Sequence, residues 1–375
     1  MNATQHDKPL VVLLYELSNT GKELVSYSIY YKSDGFWFIR PPGRYLLVAF
    51  EDTNEDLAYQ KTEYAGYYGT PSVITVEAGK DLINLDINLQ PPWLLTLNES
   101  PDLSSPATVM NLTLPKIQFG EVVRLEDTRF SQETGQIGLW EPIRFLYEIG
   151  GGLYFLEPYD HAKTPVLFIH GAGGSPQDWT YLINHLDRSR FQPWVFHYPS
   201  GIRLEQAAEL LRHSLSEIYV SHKVTRFIVI AHSMGGLVFR FLINHIGPRD
   251  DAHVLKLFVT LSTPWAGHQA AQLGVDHAPA VIPSWLDMVP NSPFQRSVFQ
   301  YPMPEYIDYY LLFSLKGRPD SFTPENNDGT VSLKSQLQME AQKEAKKIWG
   351  FNEDHRSVLQ SPDVANTLNE ILQQY

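Results

Sequence analysis

The sequence predicts an α/β fold, a mostly parallel sheet flanked by helices and carrying a cap insertion, preceded by a small all-β sandwich domain. Three observations lead there. Residues 11–89 are short β-like runs separated by Gly, Pro, Asp and Asn. A proline-rich stretch follows, and beyond it buried-strand runs alternate with amphipathic helical ones, as a parallel sheet with crossover helices requires. The 375 residues accommodate two domains of ordinary size. With 43% hydrophobic and 19% charged residues the chain can build a core in each, which excludes a disordered or fibrous protein. The 29 Lys+Arg against 42 Asp+Glu leave a net charge of −13, a surface that repels phosphate backbones, so no nucleic-acid partner is expected.

The all-β domain is expected over 1–90. Its first apolar run, Leu10–Tyr15, is far shorter than the roughly 20 residues of a membrane-spanning helix and is taken as a strand. It lacks a basic flank and a small-residue cleavage site, so no signal peptide is expected and the chain reads as cytoplasmic, a bacterial envelope location staying open. Further strands are placed at Ser26–Tyr31, Tyr45–Phe50 and Ser72–Val76. The clearest is Ile83, Leu85, Ile87 and Leu89, alternating with Asn84, Asp86 and Asn88 as a half-buried strand does. The stretch Pro42–Asp52 resembles, over one hairpin, the regulatory-type sandwich that accompanies some carboxypeptidases and many bacterial envelope proteins. Asp52, Asn54, Asp56 and Glu63 fall at positions 1, 3, 5 and 12 of a calcium-loop template. Leu57 occupies the position where that template's sharp turn wants glycine, so a solvated acidic loop is expected and no metal. The absence of cysteine excludes disulfides, thiolate metal sites and a cysteine nucleophile.

Residues 91–120, with Pro91, Pro92, Pro101, Pro106 and Pro115, are expected to be a linker. In the domain 121–375 strands are placed at Val166–Ile169, Trp194–His197, Phe227–Ile230, Leu257–Leu261 and Tyr309–Leu315. Leu204, Ala207, Ala208, Leu211, Leu215 and Ile218 share one face of a helix. A last helix has Ser361 as N-cap, Pro362 at its first position, and Val364, Leu368, Ile371 and Leu372 on one side. Residues 268–305 interrupt the alternation with an apolar insertion that includes Trp285, Leu286 and Phe294. It is expected to be a cap whose side chains line an acyl pocket or form a lid, with ordinary packing over the sheet as the alternative.

The segment Ala231-His232-Ser233-Met234-Gly235-Gly236 follows a buried strand and opens a helix through small residues, the pattern of a nucleophile elbow. A serine so placed is also a common helix N-cap, so context decides. Upstream, Val166–Ile169 runs into His170-Gly171-Ala172-Gly173-Gly174, a loop suited to an oxyanion hole made by the backbone N–H groups of Ala172 and Met234. The rival reading, a phosphate-binding loop, lacks the Lys-Ser/Thr pair it needs. Downstream, Asp328 lies in an Asp-Gly loop after a strand, and His355 precedes the final helix, so the chain has Ser, Asp and His in the order such hydrolases use. Asp354, Glu325 and Asp320 are the other carboxylates within reach in sequence, and His232 is expected to be a packed elbow residue.

With these motifs and Leu261-Ser262-Thr263-Pro264 in the same order, residues from about 120 to 375 resemble an α/β-hydrolase of the bacterial lipase/esterase type. The resemblance implies the α/β-hydrolase fold, Ser233 as nucleophile, His355 as general base and acid, Asp328 as its orienter, and a small-molecule or lipid ester as substrate, with no cofactor. Trp285, Leu286 and Phe294 would contact the acyl chain. An acyltransferase with the same triad, an amidase or peptidase, and a non-catalytic binding protein on a hydrolase scaffold are the alternatives.

Overall fold

In a computed structural model of the chain, residues 8–19, 21–30, 36, 38, 40–77, 80, 82–98, 103, 117–245, 254–278, 281–318 and 325–375 are described. The chain divides into two compact units, Met1–Pro115 and Lys116–Tyr375.

The first unit is built on one antiparallel sheet of strands β1 (Leu10–Ser18), β2 (Gly21–Tyr30), β3 (Gly43–Glu51), β4 (Ala65–Tyr67) and β5 (Ile74–Val76). β1 lies between β2 and β3, and β3 also pairs with β4 and β5. Both faces of its centre are covered. Val11, Leu13, Leu46, Val48 and Phe50 enter one core cluster, and Val12, Leu14, Tyr45, Leu47 and Ala49 enter another. Successive residues of a strand point to opposite faces, so burial on both explains why these strands are continuous apolar runs.

Pro42–Asp52, expected as one hairpin, is occupied by the single strand β3. The Ile83–Leu89 stretch makes one isolated bridge, Ile87 with Tyr68, and Gln90 just beyond it makes another with Ala65, instead of a ladder. Asn84, with φ 61°, breaks the extended run, while Leu85, Ile87 and Leu89 still pack onto the core. Two of the three carboxylates of the calcium-template loop, Asp52 and Glu63, are turned inward onto the chain, while Asp56 is exposed. Asp52, fully buried, accepts the N–H groups of Asp56 and Leu57 at 3.2 and 2.9 Å, and buried Glu63 accepts those of Thr53 and Gln60 at 2.7 and 2.9 Å. They hold a loop in which Leu57 takes φ 60° without glycine. Among the described residues no group of three or more metal-ligating side chains is placed to hold an ion.

The second unit is an eight-stranded sheet. Its strands are β6 (Ile117–Val122), β7 (Gly151–Phe155), β8 (Thr164–Ile169), β9 (Phe191–His197), β10 (Phe227–His232), β11 (Leu255–Leu261), β12 (Asp308–Ser314) and β13 (Lys347–Phe351), in the order β13-β12-β11-β10-β8-β9-β7-β6. All neighbours run parallel except β7 and β9. β8, β9 and β10 are buried along their whole length, which follows from helices covering both faces. β6 begins inside the stretch 91–120 expected as a linker, whose Pro101, Pro106 and Pro115 lie outside the described residues. It is an edge strand with no fully buried residue, so neither alternation nor an apolar run marked it.

The helix Leu204–His222 buries Leu204, Ala207, Ala208, Leu211 and Ile218, and Pro362–Leu372 buries Val364, Leu368, Ile371 and Leu372. Ser361 stands at the N-cap of the latter, but its hydroxyl is buried without a hydrogen-bond partner. The insertion folds into three short helices, Gln269–His277, Pro283–Met288 and Pro293–Val298. Its anchor is Asp287, fully buried, which accepts Leu204 N–H at 2.7 Å and Arg203 Nε and Nη2 at 3.0 and 2.6 Å. The cap therefore supplies the N-terminal cap of the Leu204–His222 helix.

Candidate active site

β10 delivers Ser233 at its C-terminal end, and the helix Met234–His245 starts at the next residue. Ser233 has φ 53°, a left-handed conformation a serine keeps only where its surroundings impose it. Two close approaches flank it here. A Cβ on Gly235 would come within 2.6 Å of the carbonyl oxygens of Ile169 and His170, and one on Gly171 would come within 2.8 Å of the Ser233 Cβ. Small residues are required at both places, which is the physical content of the motif.

The Ser233 Oγ lies 2.9 Å from His355 Nε2, and His355 Nδ1 lies 2.7 Å from Asp328 Oδ2. All three residues are buried, at 8%, 9% and 0% exposure. Asp328 sits in the loop after β12, and its backbone carbonyl accepts His355 N–H at 2.8 Å, so the two loops are pinned to each other. Its Oδ1 accepts Val331 and Thr330 N–H at 2.7 and 3.0 Å, and its Oδ2 also accepts the Ser314 hydroxyl at 2.9 Å. Burial alone would raise the pKa of this carboxyl, but the hydrogen bonds from His355, Val331 and Ser314 outweigh it and hold the group below the ordinary carboxylate value. Ionised Asp328 accepts only, so the His355 proton resides on Nδ1 and Nε2 faces the serine as an acceptor. A histidine so held can take a hydroxyl proton.

The other carboxylates are elsewhere. Asp354 accepts the N–H groups of Arg356 and Ser357 at 2.9 and 2.8 Å, Glu325 is exposed and 3.7 Å from Lys334, and Asp320 lies outside the described residues. His232 has its Nε2 2.8 Å from the His355 carbonyl oxygen, to which it donates. Burial pushes its pKa down to about 3, so it is a neutral prop for the His355 backbone.

On the other side of Ser233, the loop after β8 is braced at each peptide. His170 Nδ1 and Gly174 N–H reach the Gly171 carbonyl at 2.9 and 3.2 Å, the Ser200 hydroxyl accepts Gly173 N–H at 2.8 Å, and Gln136 Nε2 donates to the Gly173 carbonyl at 2.9 Å. Carbonyl and N–H of one peptide point in opposite directions, so fixing the Gly171 carbonyl also fixes the Ala172 N–H. Among the described residues, Ala172 N–H donates to no protein acceptor, and Met234 N–H, first in its helix, has no intrahelical one. Two such donors beside a serine suit an oxyanion.

The three cap residues have different surroundings. Trp285 is half-buried, with its ring edge-on to Trp140 at 5.8 Å, and Leu286 is 37% exposed. Phe294 is 1% exposed and stacked on Phe241 at 5.1 Å, so in this structure its ring meets protein neighbours. Ser314, Ser200 and Gln136 carried no sequence signal, because each acts through contacts far away in the chain.

Residues 166–350 match the model of the alpha/beta hydrolase family, and the second unit has the α/β-hydrolase fold. Solved structures similar to the chain include the mature Bacillus licheniformis lipase BlEst2, 19% identical, with a TM-score of 0.46 over 59% of this chain and 97% of that one. A gene lin2722 product of Listeria innocua is 13% identical, with a TM-score of 0.43 over 57% and 95%. Phospholipase PlaB of Legionella pneumophila is 16% identical, with a TM-score of 0.38 over 47% and 46%. No curated protein matches the chain.

Proposed function

We propose that the protein is a serine hydrolase of carboxylic esters, working through Ser233, His355 and Asp328 and an acyl-enzyme. The observation that carries this reading is the unbroken hydrogen-bonded line from Ser233 Oγ through both ring nitrogens of His355 to Asp328, with the serine held at φ 53°. His355 takes the Ser233 proton as the hydroxyl oxygen attacks the ester carbonyl, and returns it to the departing alcohol. The oxyanion is received by Ala172 and Met234 N–H, worth about 2.7 to 4 kcal/mol per donor in comparable sites. Water then releases the acid with His355 as base. Trp285 and Leu286 are proposed to meet the acyl chain, which makes water-poor small-molecule or lipid esters the substrate class. No cofactor takes part in these steps. For the first unit, the resemblance of Pro42–Asp52 to regulatory-type sandwiches is the reading we carry.

The test is a panel of nitrophenyl esters of graded chain length, with and without an added acceptor alcohol. Wild type should hydrolyse them, and Ser233→Ala should lose more than a thousandfold while staying folded. Retention of activity within about tenfold sinks the assignment, and transfer to the alcohol in preference to water replaces hydrolysis by acyl transfer.

A further inference from the structure

Behind Asp328 lies a second line of hydroxyls that the triad itself does not use. Ser314, the last residue of β12, and Ser262, just after β11, are both fully buried, and their Oγ atoms are 2.5 Å apart. Ser314 Oγ is also 2.9 Å from Asp328 Oδ2, the oxygen that receives His355 Nδ1–H. The direction of the protons follows from chemistry. An ionised carboxylate only accepts, so the Ser314 hydroxyl donates to Asp328. Its one proton is then spent, and the Ser262 hydroxyl donates to Ser314.

Two further features show that this arrangement is imposed. Ser262 has φ 52°, nearly the value at Ser233, so two neighbouring parallel strands each end in a serine in the left-handed region. A non-glycine residue keeps that conformation only where the structure around it over-determines it. The Gln336 amide grips Ser314 by both backbone groups, accepting its N–H at 3.0 Å and donating to its carbonyl at 3.1 Å, and donates to the Val331 carbonyl at 3.2 Å. Gln336 thus ties the serine to the loop that carries Asp328.

We infer that Ser262 and Ser314 form a hydroxyl relay that orients Asp328 and tunes how strongly it polarises His355. This rests on the proposed triad. With the two backbone N–H groups on Oδ1, the relay brings the donors on Asp328 to four, filling the lone-pair directions of its two oxygens. The aspartate can then neither rotate nor turn an oxygen to water. Part of its charge is drawn toward Ser314, so the pull on His355 is weaker than an undivided carboxylate would exert. Ser262 and Ser314 are positioning residues, since neither touches the serine nucleophile in this network.

The experiment measures kcat and KM across pH for a nitrophenyl ester, with thermal midpoints, in wild type, Ser233→Ala, Ser314→Ala, Ser314→Thr and Ser262→Ala. Removing the Ser314 hydroxyl leaves Asp328 Oδ2 with more charge for the imidazolium, so the acidic limb of kcat/KM should move to higher pH by about half a unit or more. In the same variant kcat should fall about tenfold with KM little changed, the loss of one charge-assisted hydrogen bond. Ser262→Ala should shift the limb the same way and lower kcat about threefold, because the Ser314 donor remains but loses its support. Ser314→Thr, which keeps the hydroxyl, should return the limb toward wild type. Among the described residues, the titratable groups facing the pair are His232 and His268, both kept neutral by burial, so the limb is not theirs. If Ser314→Ala does not fold, Ser262→Ala decides. Folded serine variants with an unmoved limb, beside an inactive Ser233→Ala, overturn the relay alone. An active Ser233→Ala overturns the triad reading and the relay with it.

Discussion

At the scale of single residues, the candidate site separates into what a local pattern can carry and what it cannot. Ser233 was legible because the elbow constrains its neighbours, and at Gly235 and Gly171 a Cβ would come within 2.6 and 2.8 Å of the atoms around it. Asp328 and His355 were legible through their order in the chain and their placement after strands. Four donors converge on the Asp328 carboxylate, and among the described residues neither Asp354 nor Glu325 is hydrogen-bonded to the His355 ring. Asp328→Asn should therefore cost on the order of 10⁴ in turnover, as the same change does in a well-studied triad, by presenting the wrong partner to Nδ1. Asp354→Asn and Glu325→Gln should stay within about threefold. Steady-state kinetics on the three variants checks this, and a collapse in either of the latter with Asp328→Asn near normal moves the role. Ser314, Gln136 and Ser200 were not legible, because nothing local distinguishes a serine or glutamine whose partner lies far along the chain, and Ser262 stood out only as part of the Leu261–Pro264 motif, which does not point to Ser314.

At the scale of elements, period and burial decided what could be read. The strands buried on both faces, β8 to β12, were found from their apolar runs, while edge strand β6 was not. The helix Leu204–His222 showed its apolar face, but its N-terminal cap comes from Asp287 in the insertion, which no local rule anticipates. Asp287→Ala should strip the cap and the ion pair together. Arg203 keeps partial solvent access, so the loss is about 2 kcal/mol, below that of a fully buried pair. Denaturant unfolding measures it, and a midpoint unchanged from wild type contradicts the anchor. Phe294 and Trp285 separate the two fates of the cap's apolar groups. Phe294→Ala should cost about 3 to 5 kcal/mol of stability and leave the ratio of kcat/KM for octanoyl and acetyl esters unchanged. Trp285→Ala and Leu286→Ala should lower that ratio, since each buried methylene contributes about 0.8 kcal/mol. A constant ratio in all three places the acyl pocket elsewhere.

At the scale of the whole molecule, the second unit buries neutral histidines. Burial pushes His170 to about 4 and His232 to about 3, and lowers His197 as well, helped by His170 beside it. Each is depressed below its unfolded value near 6.5, so the unfolded chain binds the extra protons as pH falls. Stability is thus complete above pH 6.5 and declines below it, by about 1.4 kcal/mol per pH unit for each such histidine. Urea unfolding at pH 7 and pH 5 should show that decline, and His232→Gln should reduce its slope by about one proton. An unchanged slope would mean that His232 is not buried neutral. The central claim is that Ser233 is an activated nucleophile, and its most direct measurement is reaction with a fluorophosphonate followed by peptide mass spectrometry. The account predicts one adduct, on Ser233, formed rapidly in wild type and suppressed in His355→Ala. No adduct, an adduct on another serine, or labelling indifferent to His355 would contradict it.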